Sequence, residues 1–531
     1  MMQEAQMAPW IGPNYTLQGN SMASRQAINC FMQSGEGKAK YEALLIGTPG
    51  TTLLSDLEEY LVDGVGSCRG LHLTGASPYV GGNLYWAYGS KVGYTYKDQY
   101  GELISVVLAD IGLDTKRVSF ADNGFDVVLA TGSAMFSIDI FTDKVVDITS
   151  ELPFTQPLQV KFLLGRLYAI TADPSITSSA TLGDAIKNNL IWYSDLANSK
   201  SWDALSYIPA DLSSDPVTAI EVRQGDLWVY GTRTYQIFTT TANPDEPLAY
   251  TSGSGTSIGV GAPDTVATIG NNIFWLGSNT SGRNMIFKGA GNGSVRISDH
   301  SVEDALEKLA DLTEFAYGFT YQDGGNQFYC VTVPSGDYVF QGETITSKGV
   351  TYSYNTLTGE WHISASRDPN RGFVEAWEPL FSAFAWGKIV VGNLISPVLM
   401  ELRNDIYTDY DHNTVDNQKP IIRQYAGPQM FNNLQNFVCH EFNWDILQGV
   451  APLNGISADA EAVLEVSYDG GNTYPGGKLP AKLQKTGNYA GVLKWIGLGA
   501  SRTFVFRVTI TENMQFMAGQ ARVRYSMSSL P

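Results

Sequence analysis

The sequence has little of what marks several common classes of protein. Among 531 residues there are four cysteines, and no two have the CxxC spacing of zinc-binding or redox motifs; they are Cys30, Cys68, Cys330 and Cys439. We therefore expect four free, buried thiols in a protein made in a reducing cytoplasm. The N-terminal stretch lacks the basic and apolar regions of a signal peptide, and no apolar run approaches the roughly 20 residues of a membrane helix. These absences predict a protein that is not secreted by the ordinary route and does not insert stably into a membrane.

Basic residues are also scarce. Lysine and arginine number 34 against 53 acidic residues, which gives a formal net charge of −19. A protein that clamps DNA needs a basic footprint, so this chain is expected to repel phosphate on average. The simpler interpretation of the charge is solubility. The alternative is a surface past which a polyanion slides without adhering.

Aromatic residues and glycines are plentiful. Aromatics make up 12% of the chain, with 28 tyrosines and 54 glycines, a composition that favours many strands joined by tight turns. Between about residues 65 and 400, strand-like runs such as NLYWAYGSKVGYTY (83–96) and DLWVYGTRTYQIFTT (226–240) recur. Their spacing of roughly 40–60 residues is close to that of propeller blades. The sequence predicts an all-β fold built on a β-propeller of about six or seven blades.

Two segments interrupt this rhythm. SVEDALEKLADL (301–312) predicts a helix inserted between blades, with Ser301 as its N-cap and Val302, Leu306 and Leu309 on one face. The polar residues 400–420 mark a boundary, after which alternating strands predict a C-terminal antiparallel β-sandwich. The expected organisation is an N-terminal arm with the first strands (1–50), a propeller (51–405) and the sandwich (406–531).

The stretch VSYDGGNTY (466–474) resembles the Asp-box of sialidases and other β-propeller glycosidases. The keyed positions are Ser467, Asp469, Gly471, Thr473 and Tyr474. A carboxylate that accepts turn N–H groups, together with glycines that allow positive φ, is hairpin chemistry. The motif also occurs once, and outside the predicted blades. It therefore predicts a turn and not a site of hydrolysis.

No catalytic residues and no cofactor are predicted. The acidic stretch DIYTDYDHNTVD (405–416) offers Asp405, Asp409 and Asp411 as oxygen ligands for a cation such as Ca²⁺. The alternative, which we favour, is a solvated acidic linker, because the stretch lacks the glycine and terminal glutamate of an EF-hand loop.

Several sequence segments, taken in their order along the chain, resemble segments of one phage protein family. They are QAINCFMQSGEGKAKYEALLIGTPG (26–50), NNLIWYSDLANSKSWDAL (188–205), TAIEVRQGDLWVYGTRTYQIFTTTANPDEP (218–247), SIGVGAPDTVATIGNNIFWLGSN (257–279) and YSYNTLTGEWHI (352–363). The family is the tail hub, or nozzle, of short-tailed bacteriophages, also called the packaged-DNA stabilisation protein. The resemblance covers most of residues 20–400.

The resemblance implies a structural virion protein of the tail, without enzymatic activity, assembled in the cytoplasm of the host bacterium. It implies a homo-oligomeric, hexameric ring below the portal and adaptor proteins. Such a ring would extend the DNA channel, help to retain packaged DNA and attach needle, plug or fibre proteins, while double-stranded DNA passes without specific binding. In the N-terminal arm we expect Trp10, Tyr15 and Phe31 to pack on a neighbouring subunit.

The alternative is a propeller-based tail protein that binds carbohydrate or cleaves glycosides. That function would require a pocket with convergent carboxylates and exposed aromatic platforms.

Overall fold

The computed structural model describes most of the chain. Its gaps are residues 1–2, 6–9, 17–23, 38, 61–66, 173–188, 211–214, 242, 280–281, 341–342, 368–373, 415, 433–434, 450–459, 476, 485–486 and 528–531. Strands dominate the described residues, so the predicted all-β class is confirmed. No helix among these residues is long and apolar enough to cross a membrane.

Seven antiparallel sheets in the described residues form the blades of a propeller, which confirms that architecture and gives the upper of the two predicted blade numbers. Blade 1 comprises Cys68–Thr74, Asn83–Tyr88, Lys91–Lys97 and Leu103–Asp110; blade 2 comprises Ser119–Asp122, Asp126–Ala130, Met135–Asp139 and Val145–Asp147. Blade 3 comprises Pro157–Leu163, Arg166–Thr171, Leu190–Ser194 and Trp202–Pro209; blade 4 comprises Val217–Arg223, Asp226–Gly231, Tyr235–Thr240 and Leu248–Tyr250.

The remaining blades are less regular. Blade 5 comprises Gly259–Val260, Ala267–Ile269, Asn272–Asn279, Gly282–Ala290 and Gly293–Arg296. Blade 6 comprises Tyr317–Asp323, Asn326–Val333, Val350–Asn355 and Glu360–Arg367, with Val374–Ala376 at its end and the hairpin Gly336–Phe340 and Glu343–Ser347 inserted. Blade 7 comprises Pro379–Ala385, Lys388–Asn393, Val398–Arg403 and, from the beginning of the chain, Gly50–Asp56.

Blade 7 closes the ring with a strand from the other end of the propeller sequence. Gly50–Asp56 pairs antiparallel with Val398–Arg403, so that Thr52 lies opposite Glu401. This pairing joins chain segments about 350 residues apart and completes blade 7 as a four-stranded sheet. Closure of this kind ties the first and last blades together and removes an exposed sheet edge.

The first strands of successive blades contact one another around the axis and are linked by side chains. The Ser119 hydroxyl donates to the carbonyl of Val160 (3.0 Å) in blade 3 and accepts from its N–H. The Gln159 side chain accepts from the N–H of Ile220 at 2.8 Å, which joins blades 3 and 4. These bonds satisfy backbone groups at a face where no ladder partner is available.

A short helical insertion lies between blades 5 and 6, as predicted. Helix α1 spans His300–Lys308 and helix α2 spans Ala310–Thr313. The prediction of Ser301 as N-cap was wrong: the carboxylate of Asp299 accepts from the N–H of Val302 at 2.9 Å, and Ser301 lies within the first turn. Val302 and Leu306 are buried in a core cluster formed by residues of blades 5 and 6, while Leu309 ends α1.

The C-terminal unit packs two sheets face to face. The first sheet contains Gln3–Ala5, Cys30–Ser34, Ala43–Gly47, Phe437–Ile446, Leu493–Ile496, Ala500–Ser501 and Met517–Met527. The second contains Tyr15–Thr16, Ser24–Ile28, Arg423–Ala426, Met430–Phe431, Glu461–Ser467, Leu479–Lys482 and Thr503–Ile510. Strands of the N-terminal residues 1–50 therefore belong to this sandwich.

The propeller and the sandwich share a sheet. Ser24–Ile28 lies between blade 6, through a bridge from Ile28 to Ile363, and the sandwich strand Arg423–Ala426. The side chain of Asn29 holds this junction, since its amide donates to the carbonyls of Ala365 (2.8 Å) and Ile422 (2.9 Å). Continuous hydrogen bonding across the junction favours a fixed relation between the two units.

Candidate functional site

The axis of the propeller contains a cavity of about 500 Å³. The first strands of all seven blades line it, and polar residues from each blade reach its wall: His72, Ser119, Gln159, Glu221, Thr268, Thr320 and Ser382. A volume of this size is that of a small-molecule pocket. It is too small for a nucleic-acid duplex, so DNA cannot pass along the axis of a single propeller.

Charged side chains of the cavity wall lie next to oppositely charged side chains or next to an aromatic ring. Lys161 pairs with Glu221 at 2.6 Å, and His72 bonds to Asp122 at 2.5 Å. The guanidinium of Arg117 lies 4.1 Å from the ring centre of Tyr317. Burial raises the pKa of Asp264, and the nearby Arg117 opposes that shift. The cavity wall thus carries two carboxyl groups: Glu221, which is ion-paired with Lys161, and the buried Asp264, which has Arg117 nearby.

The three aspartates considered as cation ligands have different partners in the structure. Asp405 forms a two-pronged ion pair with Arg403, through Nε at 2.9 Å and Nη2 at 2.5 Å. Asp411 closes a turn by accepting from the backbone and side-chain nitrogens of Asn413. Asp409 is buried and accepts from the Thr51 hydroxyl at 3.3 Å. Among the described residues no three acidic, histidine or cysteine side chains come together as metal ligands.

Asp409 instead belongs to a cluster of buried charges at the junction of blade 7 with the sandwich. We call Asp409, Lys419, Glu378 and Arg423 the junction cluster. Lys419 forms an ion pair with Glu378, whose other oxygen accepts from Asn393. Burial raises the pKa of Asp409 to about 7, against the opposing effect of Lys419. Asp409 thus belongs to a joint between the two units, whereas Asp405, His412 and Asp416 of the same stretch are exposed, as expected for a solvated linker.

Arg423 is the most deeply buried member of the cluster, with 1% of its surface exposed. Its Nε and Nη1 make no hydrogen bond within the described residues. Burial lowers its pKa to about 10, and the nearby Asp409 carboxylate opposes this effect. A buried guanidinium that lacks full hydrogen bonding depends on a carboxylate for compensation. Asp409 and Arg423 are therefore expected to act as a unit.

The Asp-box stretch forms a turn, as predicted. The carboxylate of Asp469 accepts from the Thr473 backbone N–H at 2.9 Å and from its hydroxyl at 2.6 Å. These bonds, the Thr473 hydroxyl first, lower the pKa of Asp469 to about 2. The flanking strands Glu461–Ser467 and Leu479–Lys482 pair as a hairpin. Arg507 covers the ring of Tyr474 at 3.6 Å.

The aromatic residues of the N-terminal arm differ in their surroundings. Trp10 is fully buried in the sandwich core, where its ring centre is 5.0 Å from that of Phe442. Phe31 is 4% exposed and packs on Phe328 of blade 6, while Tyr15 is half-buried. In this chain, Trp10 and Phe31 are enclosed by the chain's own residues. Their contact with a neighbouring subunit stays a prediction, and Tyr15 has the surface to make one.

The four cysteines are free and buried, as expected. Burial raises the pKa of each thiol to about 12, which makes these groups unreactive at neutral pH.

The junction cluster was missed by sequence reasoning. Asp409 and Lys419 pair in the local hairpin of Thr408–Tyr410 with Gln418–Pro420, whereas Glu378 precedes the first strand of blade 7 and Arg423 begins a strand of the sandwich. A lysine and an arginine inside otherwise apolar or β-branched stretches, KPIIRQY (419–425), were a weak signal that sequence alone could have used.

Comparison with known families decides the relationship. A sequence model of the family described as "Bacteriophage P22 Gp10, beta-propeller" matches residues 87–407, more than half of the chain. The chain belongs to this family. It is therefore a phage tail or stabilisation protein, a structural component of the virion, and the family points to a non-enzymatic role. The match begins within blade 1 and ends just after blade 7, so the sandwich lies outside it.

Solved structures resemble the chain only distantly. The PQQ domain of pyranose dehydrogenase from Coprinopsis cinerea, in its holo form, is 12% identical over 69% of this chain and 98% of that chain, with a TM-score of 0.33. PorZ of the Porphyromonas gingivalis type-IX secretion system is 12% identical over 70% of this chain and 43% of that chain, with a TM-score of 0.32. A chain of a nidogen–laminin complex is 8% identical over 55% and 96%, with a TM-score of 0.28. No curated protein sequence matches the chain.

Proposed function

We propose that this protein is a tail hub, or nozzle. In this role several copies, six in number, form a ring below the portal and adaptor proteins of a short-tailed phage. The ring extends the DNA channel, helps to retain packaged DNA and attaches needle, plug or fibre proteins. Assembly takes place in the cytoplasm of the host bacterium. The family match over residues 87–407 carries the proposal.

The size of the axial cavity supports a multi-copy channel. Since about 500 Å³ leaves no room for a duplex, DNA must travel between subunits and not through one propeller. The formal net charge of −19 then favours a channel wall that does not bind DNA phosphate. The chain lacks the excess of lysine and arginine on which DNA affinity depends.

The test is cryo-electron microscopy of virions that carry this protein, reconstructed without imposed symmetry. We expect six copies in a tube beneath the portal, with DNA or a plug on the axis and few basic side chains facing it. Copies at the periphery of the tail, with the propeller cavity turned outward, would contradict the proposal. Such a result would favour the carbohydrate-binding alternative.

A further inference from the structure

One face of the propeller carries exposed apolar side chains at the tips of three neighbouring blades. Strands alternate in direction within a blade, so the turns after the first and the third strand lie on the same face. In blades 1 to 3 each of these six turns presents an apolar or aromatic residue that is 57–86% exposed. We call the set the apolar crescent: Val80, Tyr100, Phe125, Phe141, Leu164 and Leu196.

Contacts on the same face join the three blades that carry the crescent. Within blade 2 the carbonyl of Phe125 accepts from the N–H of Ile140 at 2.9 Å, next to Phe141. Lys200 of blade 3 pairs with Asp126 of blade 2 at 2.9 Å. The Tyr94 hydroxyl of blade 1 donates to Asp143 of blade 2 at 3.0 Å. These contacts join blades 1 to 3 next to the apolar tips, which are therefore held together on one face of the propeller.

A leucine at position 164 does not stabilise the turn in which it lies. Leu164 and Gly165 have φ of 45° and 85°, the two positive values of a type I′ turn. Asn, Asp or Gly is preferred at the first position, because a Cβ is strained there. The matching turns of blades 4 and 6 place Gln224 and Gly324 at that position. Trp386 of blade 7 also takes this position, with φ of 53°, so Leu164 is set apart by an apolar side chain that is 70% exposed.

The crescent is set among acidic groups. Its turns, at residues 78–82, 98–102, 122–126, 139–144, 164–166 and 195–203, contain eight acidic and three basic residues. A partner that fits this surface presents apolar side chains together with lysine or arginine. Two crescents facing each other would bring like charges together.

The chain carries a surface of that complementary kind on its sandwich. Leu493–Ile496 is the last strand of its sheet in the described residues, and Tyr489, Val492 and Ile496 beside or on it are 69%, 56% and 69% exposed. Two cations lie together there, since Lys494 (2.8 Å) and Arg524 (3.7 Å) both approach Glu441. We call Tyr489, Val492, Lys494, Ile496 and Arg524 the basic edge.

We propose that the apolar crescent of one copy of this chain binds the basic edge of a second copy. The two surfaces pair apolar with apolar and acid with base. A contact between two different patches is heterologous, and heterologous contacts build rings when the rotation closes. The inference rests on the proposed hub function, for which it supplies the subunit interface.

The experiment compares three full-length variants with the wild type by native mass spectrometry and sedimentation velocity at low ionic strength. The crescent variant carries Leu164→Asn and Leu196→Ser, and the edge variant carries Lys494→Glu and Ile496→Thr. The control is Val339→Ser, since Val339 is 61% exposed on the hairpin that leaves blade 6 on the opposite face. Circular dichroism melts establish that each variant is folded, and Asn suits the turn better than Leu.

We expect the wild type and the control to associate, and the crescent and edge variants each to weaken association by about tenfold or more. An equimolar mixture of the two defective variants decides between contact types. Each variant retains the patch that the other lacks, so the mixture forms a one-to-one dimer that cannot grow. An edge variant that associates like the wild type overturns the proposal, as does a wild type that stays monomeric or a mixture without dimer.

These outcomes are separate from those of the hub proposal. A ring found beneath the portal whose subunits meet through other surfaces contradicts the crescent and leaves the hub intact. A crescent-to-edge contact in a protein located at the tail periphery contradicts the hub alone.

Discussion

The propeller and the sandwich differ in the pattern of buried residues along their strands and in their net charge. In blade strands such as Asn83–Tyr88 and Asp126–Ala130 every residue is buried, because a neighbouring blade covers each face. In sandwich strands such as Glu461–Ser467, burial alternates, because only one face meets the core. All of the formal net charge lies in residues 51–405, where 40 acidic residues face 21 basic ones. Residues 1–50 and 406–531 each balance, with three and ten residues of either sign.

The difference shows how one chain can serve two purposes. In the proposed hub, the acidic propeller is expected to repel DNA phosphate, and the charge-balanced sandwich is expected to let an acidic neighbour approach. The buried junction cluster joins the two, and the strength of that joint can be measured.

The largest expected effect comes from breaking the joint. Lys419→Met removes the cation from Glu378 and Asp409 while keeping most of the aliphatic stem. It leaves the Glu378 carboxylate without its ion-pair partner, which costs about 3–5 kcal/mol of the free energy of unfolding. Urea denaturation measures the loss. The matched control is Lys40→Met, whose partner is Asp445 and whose side chain is 72% exposed, with an expected cost of about 1 kcal/mol or less. Equal losses in the two variants would contradict a structural role for the cluster.

The variant Trp10→Ala tests whether the N-terminal arm is part of the sandwich core or a link to another subunit. Removing a fully buried indole from among Phe442, Trp444 and Phe506 costs about 3–5 kcal/mol. Hydrogen exchange is expected to show lost protection in the sandwich strands and unchanged protection in blades 2 to 4. Tyr15→Ala, at a half-buried position of the same arm, serves as the comparison. A ring that fails to form with Tyr15→Ala while monomer stability is kept would support the interface prediction for Tyr15.

Asp409→Asn tests the junction through pH. The folded-state pKa of about 7 is above the ordinary value of 3.8, so the folded protein holds a proton that the unfolded chain releases. This group therefore contributes stability at low pH that is lost as pH rises from about 4 to about 7. The asparagine variant lacks that dependence. The free energy of unfolding of the wild type, relative to the variant, is expected to fall across this range. A constant difference between pH 4 and 7 would contradict a buried, protonated Asp409.

The smallest expected effect is a gain confined to the propeller. Leu164→Asn relieves a strained leucine in the type I′ turn of blade 3 and is expected to stabilise the monomer by about 1 kcal/mol. Gln224→Asn, at the same turn position of blade 4, is the control and is expected to gain less. Thermal unfolding measures both. Destabilisation by Leu164→Asn would show that the leucine side chain packs within its own chain.

Local patterns predicted what depends on local chemistry. The glycine- and aromatic-rich runs indicated the blade strands, and VSYDGGNTY indicated its turn, because both depend on backbone preferences within a few residues. The residue that caps the helix was not predicted correctly. Asp299 and Ser301 are both good N-cap residues, and which of them caps the helix depends on where the chain leaves strand Gly293–Arg296. Asp409 looked like a solvated acid because sequence does not show what covers a side chain.

The sequence by itself determined the all-β class, the repeating blades, the buried thiols and the excess of acid, since composition and short-range periodicity control these properties. Only the tertiary structure decided the number of blades, the closure by Gly50–Asp56 and the burial of Asp409, Lys419 and Arg423. It also brought six separated apolar turns onto one face. These features depend on pairings between residues up to about 350 positions apart, which no local pattern encodes.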